Sequence, residues 1–334
     1  MSRKKVTIRD IARESGVSIA TVSRYINKVS YTSPETEKKI QKVLDRFDYT
    51  PNAIARGLAK QKSHTIAFIT PDITNPFFPE LVKSIENEAR KMNYSLLLIN
   101  TNEQDLHTID FWNNFKSRYI DGFILAESEL NHDIRGYLNE INIPFVGIDR
   151  AVFSEKYHSV TVNNLKGALM AVSHLVEIGC KKIAHISGPQ TLYPAIERMD
   201  GYKKVMEQMN YAPIIYEGKF TLESGEEQTE KLLQDHPDID GVFYANDLMA
   251  IGSLKAFKKH HIEIPEEVAI LGFDGIQLTE IVYPEISTIK QPVDKIGEIA
   301  TNHLIALIEN HDQPIKETVL LDVELVKRKS TKKH

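Results

Sequence analysis

A single cysteine, Cys180, and a single tryptophan are all that 334 residues contain of either type. One thiol excludes an internal disulfide framework and any cysteine metal cage, and with no activating neighbour in sequence Cys180 reads as a small buried hydrophobe. Long apolar runs are missing as well. Nothing approaches the ~18 apolar residues of a membrane span, and the opening "MSRKKVTIRD" is basic without passing into an apolar segment, so no signal peptide and no membrane partner are expected. Also absent are a G-x-S-x-G elbow, a P-loop, a G-x-G-x-x-G and an H-E-x-x-H, the common hydrolase, nucleotide and zinc-protease signals. His260 and His261 are adjacent and face different sides of a helix end, where charge compensation accounts for them better than a metal. The expectation is a cytoplasmic protein that is not an enzyme and carries no cofactor or metal.

What the chain does have is unevenly distributed. Net charge is −5 overall, yet residues 1–62 carry +8 and the rest −13. A basic head on an acidic body points to a head that meets a polyanion. Within the head, "VTIRDIARESGVSIATVSRYIN" divides at Gly16. Before it, Ile8, Ile11 and Ala12 make the i, i+3, i+4 stripe of a short helix, with Thr7 as N-cap and Asp10 completing a capping box. After it, Ser18 caps a second helix in which Val22 and Ile26 face inward. That spacing is a helix-turn-helix. Its odd composition follows from use: Ala20, Thr21 and Ser23 are short enough to bring the backbone close to base edges and phosphates, Ile19 suits a thymine methyl, and Arg24 reaches guanine or phosphate. Thr7, Ser18 and Asn27, at helix ends, join this DNA-facing set. A third helix opens with Ser33 as cap, Pro34 first and Glu37 closing a box, and presents Ile40, Val43, Leu44 and Phe47 to the core.

"VTIRDIARESGVSIATVSRYIN" followed by "YTPNAIARGLAKQKS" resembles the lactose/galactose-repressor family of bacterial transcription regulators, and the resemblance extends along essentially the whole chain. It implies a homodimer that sets Ile19, Ala20 and Arg24 in the major groove of each half of a pseudo-palindromic operator. The stretch "NAIARGL" is too short for a stable isolated helix, since nucleation is not recovered below ~12 residues. The resemblance implies that two such hinge helices pair on DNA, placing Asn52, Ala55 and Arg56 at the minor groove and wedging Leu58 between base steps.

From Ser63 onward, "HTIAFIT", "YSLLLIN", "DGFILA", "IPFVGID", "KKIAHIS", "DGVFYAN" and "VAILGFD" are short apolar runs of buried-strand type, each followed by an amphipathic stretch. This alternation predicts parallel sheets wrapped by helices. The fold class expected is an N-terminal all-α three-helix helix-turn-helix domain (1–50) with a hinge helix and linker (51–62), then an α/β body (63–334). The resemblance implies that this body is two-lobed and periplasmic-binding-protein-like, with three crossings between lobes. Lobe one would hold about 63–161 plus 292–322, and lobe two about 162–291 plus 323–330.

Ligands of open parallel sheets sit beyond the carboxyl ends of the strands. There the sequence places Asp72, Asn75, Phe77, Phe78, Asp149, Arg150, Ser187, Asn246, Asp247 and Asp274, a set rich in carboxylate, amide and aromatic groups and short of lysine. Carboxylates accept from hydroxyl pairs, Asn does both, Arg donates in a rigid fork, and an aromatic ring covers an apolar sugar face. The resemblance sharpens Asp149, Asn246 and Asp274, adds Arg198 and Gln291, and supports Phe78 more weakly. Asn246 and Asp274 could instead only cap helices, and Arg150 could bind a phosphate or bridge the lobes. The function expected is a repressor of a carbohydrate-utilisation operon, released by a small sugar or sugar phosphate. The alternative is a regulator that senses a purine or a phosphorylated carrier protein.

Overall fold

In the computed structural model, residues 6–27, 31–49, 62–101, 103–116, 120–126, 132–141, 143–148, 158–309 and 318–332 are described. The chain divides into two units between Ser63 and His64.

The first unit holds α1 (Ile8–Ser15), α2 (Ile19–Asn27) and α3 (Pro34–Phe47). Ile11, Ala12, Val22, Ile40 and Val43 form its buried centre, with Ile8, Val17, Ile26, Leu44 and Phe47 packed against it. Both stripes expected from spacing therefore meet in one core. Thr7 and Asp10 close the capping box of α1 reciprocally, and Gly16 ends that helix at φ +68°, a left-handed turn that costs other residues ~1 kcal/mol or more. One local expectation fails at α3. Ser33 Oγ accepts from Thr36 N, but Glu37 does not close a box, because with Pro34 as the first helical residue the third position belongs to Thr36.

The second unit is built on two six-stranded sheets. The first contains β1 (Thr65–Thr70), β2 (Ser95–Asn100), β3 (Gly122–Leu125), β4 (Phe145–Ile148), β5 (His158–Val162) and β11 (Thr318–Leu321), in the order β11-β5-β4-β3-β1-β2. The second contains β6 (Ile183–Ser187), β7 (Ile214–Glu217), β8 (Gly241–Tyr244), β9 (Ala269–Asp274), β10 (Ser287–Lys290) and β12 (Glu324–Val326), in the order β12-β10-β9-β8-β6-β7. All pairings are parallel except that of β12 with β10. The chain passes from the first sheet to the second after β5, returns after β10, and passes again between β11 and β12.

Helices cover the sheets on both faces. On the first, α4 (Phe77–Lys91) and α13 (Val293–Glu309) pack together, while α6 (Ile109–Lys116) and α7 (His132–Ile141), which follow the short α5 (Glu103–Leu106), enclose Trp112, Phe115 and Phe123. On the second, α8 (Asn164–Glu177) and α9 (Tyr193–Gln208) lie on the face of Phe243, Leu271 and Phe273. Its other face, with Val242, Tyr244 and Ile270, meets α10 (Leu222–Asp235) and α11 (Asp247–Lys259). Seven of the strands feed two cores each, which is why their sequences read as continuous apolar runs rather than alternating ones. The seven runs are β1, β2, β3, β4, β6, β8 and β9. Strands β5 (HSVTV), β7 (IIYE) and β10 (STIK) carry too many polar residues to register as such runs. A short α12 (Leu278–Ile281) and a 3-10 turn at Lys329–Thr331 complete the described elements. Among the described residues no helix is long and apolar enough to cross a membrane.

Candidate nucleic-acid interface and effector cleft

In the first unit, α2 turns Val22 into the core and leaves Ile19 46% exposed, with Ala20 and Arg24 also exposed and Thr21 and Ser23 half-buried. Ile19 thus stands on the face of α2 that the core does not use. Ser18 Oγ accepts from Thr21 N at 3.1 Å and lies 2.8 Å from Thr21 Oγ1. These two hydroxyls, like that of Thr7, which donates to Asp10 Oδ2 at 2.7 Å, serve first to fix the helix starts. The side chain of Asn27, and Asn52, Ala55, Arg56 and Leu58 of the expected hinge, lie outside the described residues, as do Asp149 and Arg150.

In the second unit, residues at the carboxyl ends of the two sheets face one another. From the first lobe come Asn75, Phe77 and Phe78, and from the second Pro194, Arg198, Phe220, Asn246 and Asp274. The space they leave is about 20 Å³, room for about one water, so a ligand enters only as the lobes or these side chains part. Asn75 Oδ1 accepts from Phe77 N at 3.1 Å and so sets the start of α4. The Phe77 and Phe78 rings meet edge to face.

Arg198 is the fixed cation of the cleft. It is 3% exposed, its Nε donates to Asn164 Oδ1 at 2.9 Å and its Nη1 to Ala245 O at 2.6 Å. Nη1 also stands 3.5 Å from Asp274 Oδ1. Asn164 is itself oriented by donating to Val162 O and Glu197 Oε2. Asp274 Oδ1 accepts from Gln291 Nε2 at 2.9 Å, while the buried Gln291 Oε1 has no donor among the described residues. A buried acceptor without a donor is costly unless a ligand or water supplies one. Asp274 sits at φ +114°, followed by Gly275 at φ +78°.

Three expected ligand contacts turn out to have structural work. Asn246 lines the space, but its Oδ1 caps α11 by accepting from Met249 N and its Nδ2 donates to Phe220 O. Asp247 does not reach the cleft: it is fully buried, and its carboxylate accepts from Thr288 Oγ1, Gly275 N and Ile276 N behind Asp274. Burial, with the nearby Asp274 charge adding to it, pushes the Asp247 carboxyl above the usual carboxylate range. Asp72 Oδ1 is taken by Thr74 N and Oγ1 in a tight local turn, outside the residues that line the space.

Residues 7–52 match the lacI family of bacterial regulatory proteins, and residues 172–331 match the periplasmic binding protein-like domain. The ribose operon repressor of Halalkalibacterium halodurans is 38% identical over 328 residues, covering 98% of this chain and 97% of that protein. The chain belongs to the lacI family. A Lac repressor dimer bound to operator and the anti-inducer ONPF superposes with a TM-score of 0.86 at 26% identity, covering 98% of this chain and 99% of that one. A lacI-family regulator from Enterococcus faecium with bound ribose gives 0.73 at 28% identity, covering 80% and 98%. This lacI-family chain is accordingly a DNA-binding regulator of transcription and not an enzyme.

Sequence reasoning missed two residues that line this regulator's cleft and two that hold Arg198. Phe220 stands at φ +61° one residue before Thr221, the N-cap of α10. An aromatic between a strand and a helix cap, at the carboxyl side of β7, was the available signal. Pro194 gave none beyond its place in the first turn of α9. Asn164 and Phe273 act through Arg198, and only the folded contacts reveal them.

Proposed function

We propose that this lacI-family regulator is a homodimeric repressor of a carbohydrate-utilisation operon, working in the bacterial cytoplasm on nucleoid DNA and released from its operator by a small neutral sugar of pentose size. The observation that carries the reading is the Arg198–Asp274–Gln291 cluster: a rigid donor fork and a carboxylate line the same space as Phe77 and Phe78, and a buried amide bound to that carboxylate keeps one oxygen without a donor among the described residues. Vicinal hydroxyls pair with such groups in both directions, and aromatic rings cover the apolar ring face. The 38% identity to a ribose operon repressor and the likeness to a ribose-bound relative support the same class. DNA contacts fall to Ile19, Ala20, Thr21, Ser23 and Arg24 of α2, with Thr7, Ser18 and Asn27 at helix ends and Asn52, Ala55, Arg56 and Leu58 in the hinge. Asp149 and Arg150 join Asn75, Phe77, Phe78, Arg198, Asn246, Asp274 and Gln291 at the effector.

Sugar binding need only discriminate between two lobe arrangements. A coupling of ~3 kcal/mol changes operator affinity about 150-fold. The test is calorimetry of the full-length protein against D-ribose, other pentoses, hexoses, pentose phosphates and purines, repeated with Arg198→Ala. Operator release is followed on a duplex selected from a random pool. Micromolar binding of a free pentose that is lost in the variant supports the reading. Binding of a purine alone, or of a sugar equally well in the variant, overturns it.

A further inference from the structure

We propose that Asp247 is a positioning residue of the effector site: its carboxylate holds the Asp274–Gly275 bend, and so keeps the Asp274 carboxylate turned toward Arg198 and Gln291. The identity of the ligand rests on the sugar reading above; the bend does not. Asp274 has φ +114°, a region side-chain-bearing residues occupy only where their surroundings over-determine it.

The surroundings are Asp247. Its Oδ2 accepts from Gly275 N at 2.7 Å and Ile276 N at 2.9 Å, the two amides that follow the strained residue. Its Oδ1 accepts from Thr288 Oγ1 at 2.6 Å. Gly275 N stands 3.2 Å from the same Thr288 Oγ1. Space for this carboxylate is made on β9, where a Cβ at Gly272 would lie 2.2 Å from Asp247 Oδ1. On the far side of the bend, Gln291 N donates to Asp274 O at 3.0 Å and Gln291 Nε2 to its carboxylate. Asp274 is thus gripped through its own carboxylate and carbonyl by Gln291, and through the two following amides by Asp247. The interior grip is the one a ligand cannot replace, because Asp247 is fully buried.

A role confined to the first turn of α11, which Asn246 caps, would make Asp247 a stability residue with no bearing on ligand. The variants separate the two. Asp247→Ala removes all three bonds. Asp247→Asn keeps one oxygen for both amides and offers its NH2 group to Thr288 Oγ1, whose hydroxyl can turn to accept. Thr288→Val removes the bond to Asp247 Oδ1 and the longer one from Gly275 N at nearly constant volume, and touches neither Ile276 N nor the cleft.

In the full-length protein, D-ribose affinity is measured by calorimetry, and amide hydrogen exchange is measured across residues 270–277 without sugar. Asp247→Ala should lose at least 10-fold in ribose affinity and exchange faster at Gly275 and Ile276, with β6 unchanged; Asp247→Asn should stay within about threefold of the parent. A ribose affinity unchanged in Asp247→Ala, or bend amides that remain protected, overturns the proposal. Should Asp247→Ala not fold, Thr288→Val decides: a several-fold affinity loss with faster exchange at Ile276, an amide held by Asp247 and not by Thr288, supports the proposal, and no change in either overturns it. Should the parent protein not bind ribose, the sugar reading falls, and the exchange data alone decide whether Asp247 holds the bend.

Discussion

The guanidinium of Arg198 lies over the ring of Phe273, its Cζ 3.6 Å from the centroid. Phe273 is the residue just before Asp274 on β9, so one strand end supplies both the surface that carries the cation and the carboxylate that faces it. Stacking and a planar fork are properties of arginine rather than of positive charge.

Arg198→Lys therefore tests geometry at constant charge. It keeps the cation but loses the stack and the simultaneous bonds to Asn164 and Ala245. Effector affinity should fall at least 10-fold in both Arg198→Lys and Arg198→Ala. The alanine variant should also melt earlier, because removing one partner of a buried pair leaves the other uncompensated, at a cost of up to ~3–5 kcal/mol for close pairs and less across 3.5 Å. Calorimetry and thermal melts read the two effects separately; a lysine variant that binds effector like the parent would show that charge alone suffices.

Gly188 and Phe220 make a second test. A Cβ at Gly188 would fall 2.1 Å from Phe220 Cζ, with two further ring atoms inside 2.7 Å. The ring must move, and it lines the cleft. Gly188→Ala should weaken effector binding about 5-fold or more while the first unit's melting is unchanged. An effector affinity equal to the parent's would remove Phe220 from the site.

Much of this was legible in the residues. Periodicity places Ile11, Val22 and Ile40 in one core, and apolar runs mark β1 and β9, because those signals are set by local burial. The cleft was legible only in part. Asp274 and Arg198 stand 3.5 Å apart in the cleft, whereas Asn246 lines it with both side-chain atoms already engaged and Asp247, at the same strand end, points into the interior. A position at the end of a strand fixes where a backbone lies, not which side of the bend its side chain takes. That choice depends on Gly272, Gly275 and Thr288, distant in sequence and individually unremarkable.

His185 predicts acid sensitivity of the second lobe. Its ring is fully buried between Tyr202 and Phe243, with Nδ1 2.9 Å from Phe243 O. Burial pushes its pKa down from 6.5 to about 3. Above pH 6.5 folded and unfolded forms are both neutral there; below it the unfolded chain takes up a proton that the folded one refuses, and stability falls until about pH 3. Between pH 6.5 and 4.5 the loss from this residue should be roughly 2–3 kcal/mol. His185→Asn, which keeps a donor near the Nδ1 position, should be less stable at pH 7.5 but should lose that slope. Urea midpoints across this range decide it, and parallel slopes in parent and variant would contradict the assignment.

Ile19 and Arg24 separate base reading from charge in the DNA-binding unit. Both are exposed on α2, so truncating either should leave the unit's melting within ~0.5 kcal/mol, whereas Val22→Ala, at a fully buried position, should cost ~0.5–1.5 kcal/mol or more. Ile19→Ala removes the apolar contact to base edges proposed above. It should cost ~1–3 kcal/mol on the selected operator and almost nothing on unrelated duplex, with the salt dependence unchanged. Arg24→Ala, if its contact is to phosphate, should weaken both duplexes together and reduce the slope of log affinity against log salt by about 1; if it reads guanine instead, the loss falls mainly on the selected site. Titrations at two salt concentrations with both duplexes distinguish these outcomes, and an Ile19→Ala variant that binds the selected operator as the parent does would show that α2 does not present this residue to the groove.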